Sequence, residues 1–475
     1  MLRLLLRKLP WVALGALIPF LVLAILWIKK LPELEIWHTR VPTGEFTRNR
    51  SDIKTLADYQ ALEQKLLLKV SEEIIAKTKP DQQRAINRFA QKSLTNPLAY
   101  PQNWNLTYQL QGGKEAVLLV HGLSDSPYSL HELAQKLHRQ GYTVVGLRLP
   151  SHGTAPAALT RFKWQDAAAV VRLAMHDLAK THSKIHYVGY STGATLGCEY
   201  LLARLDGEQL PAISSVTFIS PAIAVTESAK YAQWVRYLAP LSGVGAAAWS
   251  DIAPEYNPYK YNSFPLNAAV QMHELTSHIA AGFARHAPLK DWPPSNVFLS
   301  AVDSTVLPEP VVSIWMSKLV PGRHQLMLFD LNRYQEYSPL LNTHAADWAL
   351  ALANQAQARP YRLQFVSNRH VPQSRKVSIE DTAAGASQRQ LIESDLAWPN
   401  EIFALSHIAL PFSPLDPLFG DPAQESNSRA LKLNQILIGE RGLLQVGGGE
   451  ILRLRYNPFY ELQEREILRF IAETQ

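Results

Sequence analysis

IHYVGYSTGATLGCEYLLARL, residues 185–205, decides the fold. IHYV is apolar enough for a buried strand, and ATLGCEYLLARL reads as a helix. Between them stands Gly189-Tyr190-Ser191-Thr192-Gly193. A G-x-S-x-G pentapeptide joining a strand to a helix imposes a tight, strained turn that presents the serine hydroxyl at the strand tip. Side chains at the two glycine positions are predicted to clash. Ser191 is therefore the candidate nucleophile. Outside such a setting, the same five residues are an ordinary Gly-Ser turn.

Working outward, short apolar or β-branched runs alternate with helical stretches from about residue 105. LTYQL, AVLLVHG, TVVGLRLP, SVTFIS and NVFLSAVD read as further strands, and Leu130 to Arg139 and Phe162 to Lys180 as intervening helices. The alternation predicts an α/β fold with a mostly parallel sheet covered on both faces, whose buried strands are continuously apolar. Residues 222–290 break the rhythm and are rich in Ala, Tyr, Trp, Pro and His. They are read as a helical cap insertion. Its aromatics (Tyr231, Trp234, Tyr237, Trp249, Tyr256, Tyr259) either line an apolar acyl pocket or pack the cap's own core. Residues 331–398 form a second insertion, with a polar, exposed and mobile segment expected around 367–390. Upstream, Leu56, Tyr59, Leu62, Leu66 and Val70 have helical spacing and predict a packing helix within residues 52–78, preceded by a tether at 31–51.

A serine hydroxyl is a poor nucleophile unless a base accepts its proton and a carboxylate orients that base. In this strand–turn–helix architecture the acid and then the histidine follow the serine in the chain. NVFLSAVD ends a strand with Asp303; Asp330, which ends RHQLMLFD, is its rival. His407 follows the strand-like IFALS; its rival, His344, sits in the helical-looking LLNTHAADWAL. Asp303 and His407 are preferred. His121-Gly122 ends AVLLV, where a loop presents an N–H to a developing oxyanion. Leu123 and Thr192 are assigned as the two oxyanion-hole donors, and His121 is read as a structural histidine. His273, His278 and His286 do not have one-face metal spacing, so no metal and no cofactor are expected.

HGLSDSPYSL (121–130), LRLPSHGTAP (147–156), GYSTG (189–193), SAVDSTV (300–306) and SHIALPFSPLDPLFG (406–420) together resemble the α/β-hydrolases of the monoglyceride-lipase, carboxylesterase and serine-aminopeptidase-like group. The resemblance covers roughly residues 105–475. It implies the α/β-hydrolase fold with Ser191 as nucleophile, His407 as base, Asp303 as orienter, and Leu123 and Thr192 as oxyanion donors. One departure stands out: Asp303 and His407 are about a hundred residues apart, whereas the family has a few tens.

Residues 10–28, PWVALGALIPFLVLAILWI, carry no charge. At roughly 1.5 Å per residue they reach about 28 Å, enough to cross a bilayer's hydrocarbon core. Trp11 and Trp27 lie at the ends, where indoles favour the interface. A transmembrane helix within residues 1–30 is therefore expected. Arg3, Arg7 and Lys8 favour a cytoplasmic N-terminus, with the catalytic domain on the periplasmic or extracellular side. Trp27-Ile28-Lys29-Lys30 does not resemble a signal-peptide cleavage site. The domain reading is an anchor at 1–30, a tether and packing helices at 31–104, and the hydrolase domain at 105–475.

Of 475 residues, 47% are hydrophobic and 19% charged, which excludes a disordered chain. A single cysteine excludes a disulfide framework. The net charge is +6, but residues 1–30 hold five basic residues and no acidic one; the rest has 42 basic against 41 acidic residues. That balance, with no dense Lys/Arg run, excludes a nucleic-acid binder. No phosphate-loop or dinucleotide pattern follows a strand, and Gly447-Gly448-Gly449 reads as a turn. The function expected is a membrane-anchored serine hydrolase of carboxylic esters, lipid esters included. The alternatives are a serine peptidase or thioesterase on the same fold and a catalytically silent binding protein.

Overall fold

The computed structural model describes residues 15, 32–83, 86–224, 245–400, 405–421, 423 and 454–474. Apart from Gly15, the segment expected to span a membrane lies outside them, as do Tyr231, Trp234, Tyr237 and the Gly447–Gly449 run. Among the described residues no helix is long and apolar enough to cross a membrane.

Ten strands form one sheet: β1 (Tyr108–Leu110), β2 (Glu115–Val120), β3 (Thr143–Leu147), β4 (Lys184–Tyr190), β5 (Ser215–Ile219), β8 (Ser295–Ser300), β9 (His324–Phe329), β10 (Arg362–Ser367), β11 (Lys376–Thr382) and β12 (Gln390–Ala397). Their order is β1-β3-β2-β4-β5-β8-β9-β10-β11-β12. The stretch from β3 to β10 is parallel throughout, and β1, β11 and β12 are antiparallel additions at the edges. Two short strands, β6 (Trp249–Asp251) and β7 (Phe264–Pro265), make a separate ribbon.

The parallel strands are apolar because both faces are covered. Along β2, Ala116, Leu118 and Val120 face one core while Val117 and Leu119 face the other, as the two-residue period of a strand requires. The first core is closed by α1 (Leu56–Glu73), α3 (Trp164–Ala179), α4 (Thr192–Leu205) and α5 (Leu266–His286). The second is closed by α2 (His131–Arg139) and, after α6 (Asp347–Asn354), by the C-terminal α7 (Tyr460–Ala472).

The stretch read as a tether is packed against this body. Trp37 and Phe46 are buried, and Glu45 pairs with Arg148 at 2.9 Å. Residues 367–390 are not a mobile loop: they contribute β11 and the start of β12, and Val377 and Ile379 of β11 are buried. The chain leaves β3 at one side of β2 and returns to β4 on the other. The crevice at such a switch point, outside the carboxyl ends of the strands, is where open α/β sheets bind ligands.

Candidate active site

Ser191 lies between β4 and α4 at φ +50° and ψ −113°, a backbone conformation that non-glycine residues seldom adopt. Its N–H donates to Ile219 O at the end of β5 (2.9 Å), and its carbonyl accepts from the N–H of Thr195 (3.1 Å). Both flanking glycines are required by contact. A Cβ on Gly189 would stand 2.5 Å from the Ala194 backbone, and one on Gly193 would run into the Val120 carbonyl. The pentapeptide is thus wedged against the tip of β2, which brings Gly122 close to the Ser191 side chain.

Thr192 is the first residue of α4, so its N–H has no acceptor within the helix. Its hydroxyl donates to the Met272 sulfur of α5 at 3.3 Å. Leu123 is half-buried in the loop after β2. His121 shapes that loop: its Nδ1 donates to Gly122 O (2.7 Å) and its Nε2 accepts from the N–H of Leu149 (3.0 Å). Burial holds this imidazole well below its usual pKa, and both its nitrogens are engaged, so its role is structural.

Asp303 follows β8 and His407 lies 104 residues later, yet the two are joined. The His407 main-chain N–H donates to Asp303 Oδ2 (2.8 Å), and its Nδ1 lies 3.0 Å from Oδ1 and 2.8 Å from Oδ2. A carboxylate only accepts, so Nδ1 carries the proton and Nε2 the lone pair. Asp303 Oδ1 also accepts the N–H groups of Thr305 (2.8 Å) and Val306 (3.0 Å). Burial pushes this carboxyl upward, but the His407 imidazole and these N–H donors outweigh burial and hold it below the ordinary value. Ser300 Oγ donates to Leu405 O (2.9 Å), stitching the histidine loop to the end of β8.

The rivals are placed elsewhere. Asp330 is fully buried but spent on Arg333 (2.6 Å) and the Ser367 hydroxyl (3.0 Å). The His344 side chain is 87% exposed and, among the described residues, pairs with Asp347 (2.9 Å). Ser191 and His407 are 9% and 8% exposed, so the site is enclosed. Among the described residues no hydrogen bond joins the Ser191 hydroxyl to His407.

Asp125 was not singled out by sequence reasoning. It sits in the same loop as Leu123, 5% exposed, and burial raises its pKa to about 6 against the pull of Lys260 and His407. The one signal was its position in HGLSDSPYSL, two residues beyond the candidate oxyanion donor. Three of the cap aromatics, Trp249, Tyr256 and Tyr259, are among the described residues. Tyr259 stacks on Tyr128 (4.4 Å between centroids) in a cluster with Phe412, Leu418 and Phe419, against which Tyr256 packs, and Trp249 meets His38 edge-on.

A family model for the alpha/beta hydrolase fold matches residues 115–242, the stretch from β2 through the serine turn into the cap. With the sheet order and the serine turn, this match shows the α/β-hydrolase fold. Within that fold it resembles the monoglyceride-lipase and esterase group. It is 28% identical, over 206 residues, to a thermostable monoacylglycerol lipase of Bacillus sp. (strain H-257), a match spanning 42% of this chain and 75% of that relative. The structure also overlaps a monoacylglycerol lipase of Paleococcus ferrophilus, with 17% identity, 47% of this chain, 88% of the other and a TM-score of 0.37. A metagenome-derived lipolytic enzyme overlaps with 20% identity, 47% of this chain, 87% of the other and a TM-score of 0.38.

Proposed function

We propose that this α/β-hydrolase is a membrane-anchored serine hydrolase that cleaves carboxylic esters, lipid esters among them, through an acyl-enzyme on Ser191. The observation that carries the reading is the Asp303–His407 pair. A buried, ionised carboxylate holds one imidazole at two points and leaves Nε2 free to accept a proton. His407 takes the Ser191 proton as Oγ attacks the acyl carbonyl, and the alkoxide that forms on the substrate is met by the N–H groups of Leu123 and Thr192. The leaving alcohol takes the proton from His407. Water then attacks the acyl-enzyme with His407 again as base, which restores Ser191 and releases the acid. The Ser191–His407 hydrogen bond forms as substrate binds, since such bonds are commonly long in free enzymes.

The lipid part rests on the monoacylglycerol-lipase relative and on residues 10–28, whose apolar length suits a bilayer anchor. The basic residues before that segment favour a cytoplasmic N-terminus, with the hydrolase domain, residues 105–475, on the periplasmic or extracellular side and residues 31–104 as tether and packing helices.

Turnover of short- and long-chain p-nitrophenyl esters by the full chain tests this, together with labelling by a fluorophosphonate probe. Ester hydrolysis and labelling are expected for the natural chain and neither for Ser191→Ala. Undiminished hydrolysis by that variant refutes the mechanism. Faster turnover of aminoacyl amides or acyl thioesters assayed alongside replaces the ester as substrate, and a natural chain that neither labels nor turns over any of them is a binding protein.

A further inference from the structure

One cluster of ionisable side chains takes no part in this chemistry. His131 and Glu132 open α2, and Asp416 lies in the loop that continues from His407. One ligand-capable atom of each lies within 4.8 Å of the other two. His131 and Asp416 are buried, and Glu132 is half-buried. Among the described residues neither carboxylate pairs with a lysine or arginine.

The hydrogen bonds leave one atom of each residue unspent. Asp416 Oδ1 accepts the N–H groups of Leu418 and Phe419 (2.8 Å each) and the Tyr128 hydroxyl (3.1 Å), whereas Oδ2 is buried without a partner. Glu132 Oε2 is likewise buried without a partner. His131 Nδ1 donates to Tyr128 O (2.6 Å), which fixes the tautomer and puts the lone pair on Nε2. Tyr128 stacks on the His131 ring (4.3 Å between centroids) and holds its plane. Buried oxygens with no donor are costly, and like-charged carboxylates side by side add to the cost. A cation removes both penalties at once.

We propose that His131 Nε2, Glu132 Oε2 and Asp416 Oδ2 form a site for one divalent transition-metal ion of the zinc class. The donor set decides the class. One imidazole nitrogen with two carboxylate oxygens suits a small ion bound at about 2.0–2.2 Å, whereas calcium takes six to eight oxygens. A Nδ1–H donated to a backbone carbonyl is the second-layer bond that metal-bound imidazoles ordinarily make. The ion would clamp the loop that runs from β2 through Leu123 into α2 against the loop that carries His407. It is a structural ion: neither Ser191 nor His407 ligates it.

The competing account is a proton shared between the two carboxyls. The full chain in detergent is reconstituted with zinc chloride, desalted, analysed for bound zinc and melted with and without EDTA. About one zinc per chain and a melting temperature lowered by EDTA are expected. Glu132→Gln and Asp416→Asn are each expected to cut bound zinc at least roughly tenfold and to make melting indifferent to EDTA. Should Asp416→Asn not fold, the half-buried Glu132→Gln carries the comparison. The site is overturned if the natural chain retains less than about a tenth of a zinc and melts identically in EDTA, or if the variants bind zinc as the natural chain does. Variants that melt higher, in a natural chain free of zinc, point to the shared proton instead.

Discussion

Asp303 holds His407 by its main chain as well as by its ring, so the carboxylate fixes both the loop and the tautomer. Asp303→Asn separates these roles. An amide presents an NH2 that can donate to Nδ1, which moves the ring proton to Nε2 and leaves no base for Ser191. We expect kcat for ester hydrolysis to fall about 10⁴-fold with KM little changed; His344→Ala, at the exposed rival, should leave both unchanged. The same substitution has a signature in pH. The folded-state pKa of Asp303 lies below its ordinary value of 3.8, so its ionisation stabilises the fold fully above that value and progressively less as pH falls through the lower folded-state value. Urea midpoints measured against pH should show the natural chain ahead of Asp303→Asn at neutral pH, with the gap closing only below about pH 4. A gap that stays constant into that range would mean that the carboxylate charge contributes nothing to the fold.

Helix α1 is fixed to the sheet by a buried ion cluster at the end of β3. Arg148 reaches Glu63 of α1 at 3.0 Å and Glu45 at 2.9 Å, and it is 1% exposed. Glu63 also accepts the Thr107 N–H and hydroxyl at 2.9 and 2.7 Å. Removing the cation strands two carboxylates, so Arg148→Met should destabilise the protein by about 3–5 kcal/mol, read as a lower urea midpoint; a loss under about 1 kcal/mol would place the cluster with weak surface pairs. The elements around this cluster differ in how plainly the sequence announced them. The strands β2, β3, β4, β5 and β8 were legible because burial on both faces leaves an unbroken apolar run. α1 was legible because its buried face repeats every three or four residues. β11 and β12 were not, since an antiparallel edge with one face in water alternates polar with apolar and looks like loop; in QLIESDLA every residue is exposed or half-buried. The packing of Glu45 was invisible for another reason: it depends on an arginine 103 residues away. At the site, Ser191 and Thr192 lie in one contiguous turn and could be read locally. Pairing Asp303 with His407 required the fold to bring together the ends of two distant segments, and the only mark of Asp125 was its place in HGLSDSPYSL.

Across the whole molecule, charge divides where hydropathy divides. The +6 of the chain is almost wholly the five basic residues flanking the apolar run, and the remaining 42 basic and 41 acidic residues nearly cancel. A nearly neutral body has little electrostatic attraction for an anionic lipid surface, where each basic residue near the surface contributes about 1 kcal/mol. On the proposed reading, membrane residence comes from the apolar segment itself, and the two sources respond to salt differently. An electrostatically held protein leaves the membrane as counterions screen it, whereas an inserted helix is indifferent to salt. The full chain should therefore stay in the membrane fraction through a high-salt wash and leave it only in detergent, and a chain lacking residues 1–30 should be recovered in the supernatant. The shortened chain should keep its kcat on short p-nitrophenyl esters, because the described site residues run from His121 to His407, and lose turnover of esters embedded in vesicles. Release of the full chain by salt would move the attachment from the apolar segment to the surface of the body. Retention of vesicle-ester turnover by the shortened chain would mean that the hydrolase domain finds its substrate without an anchor.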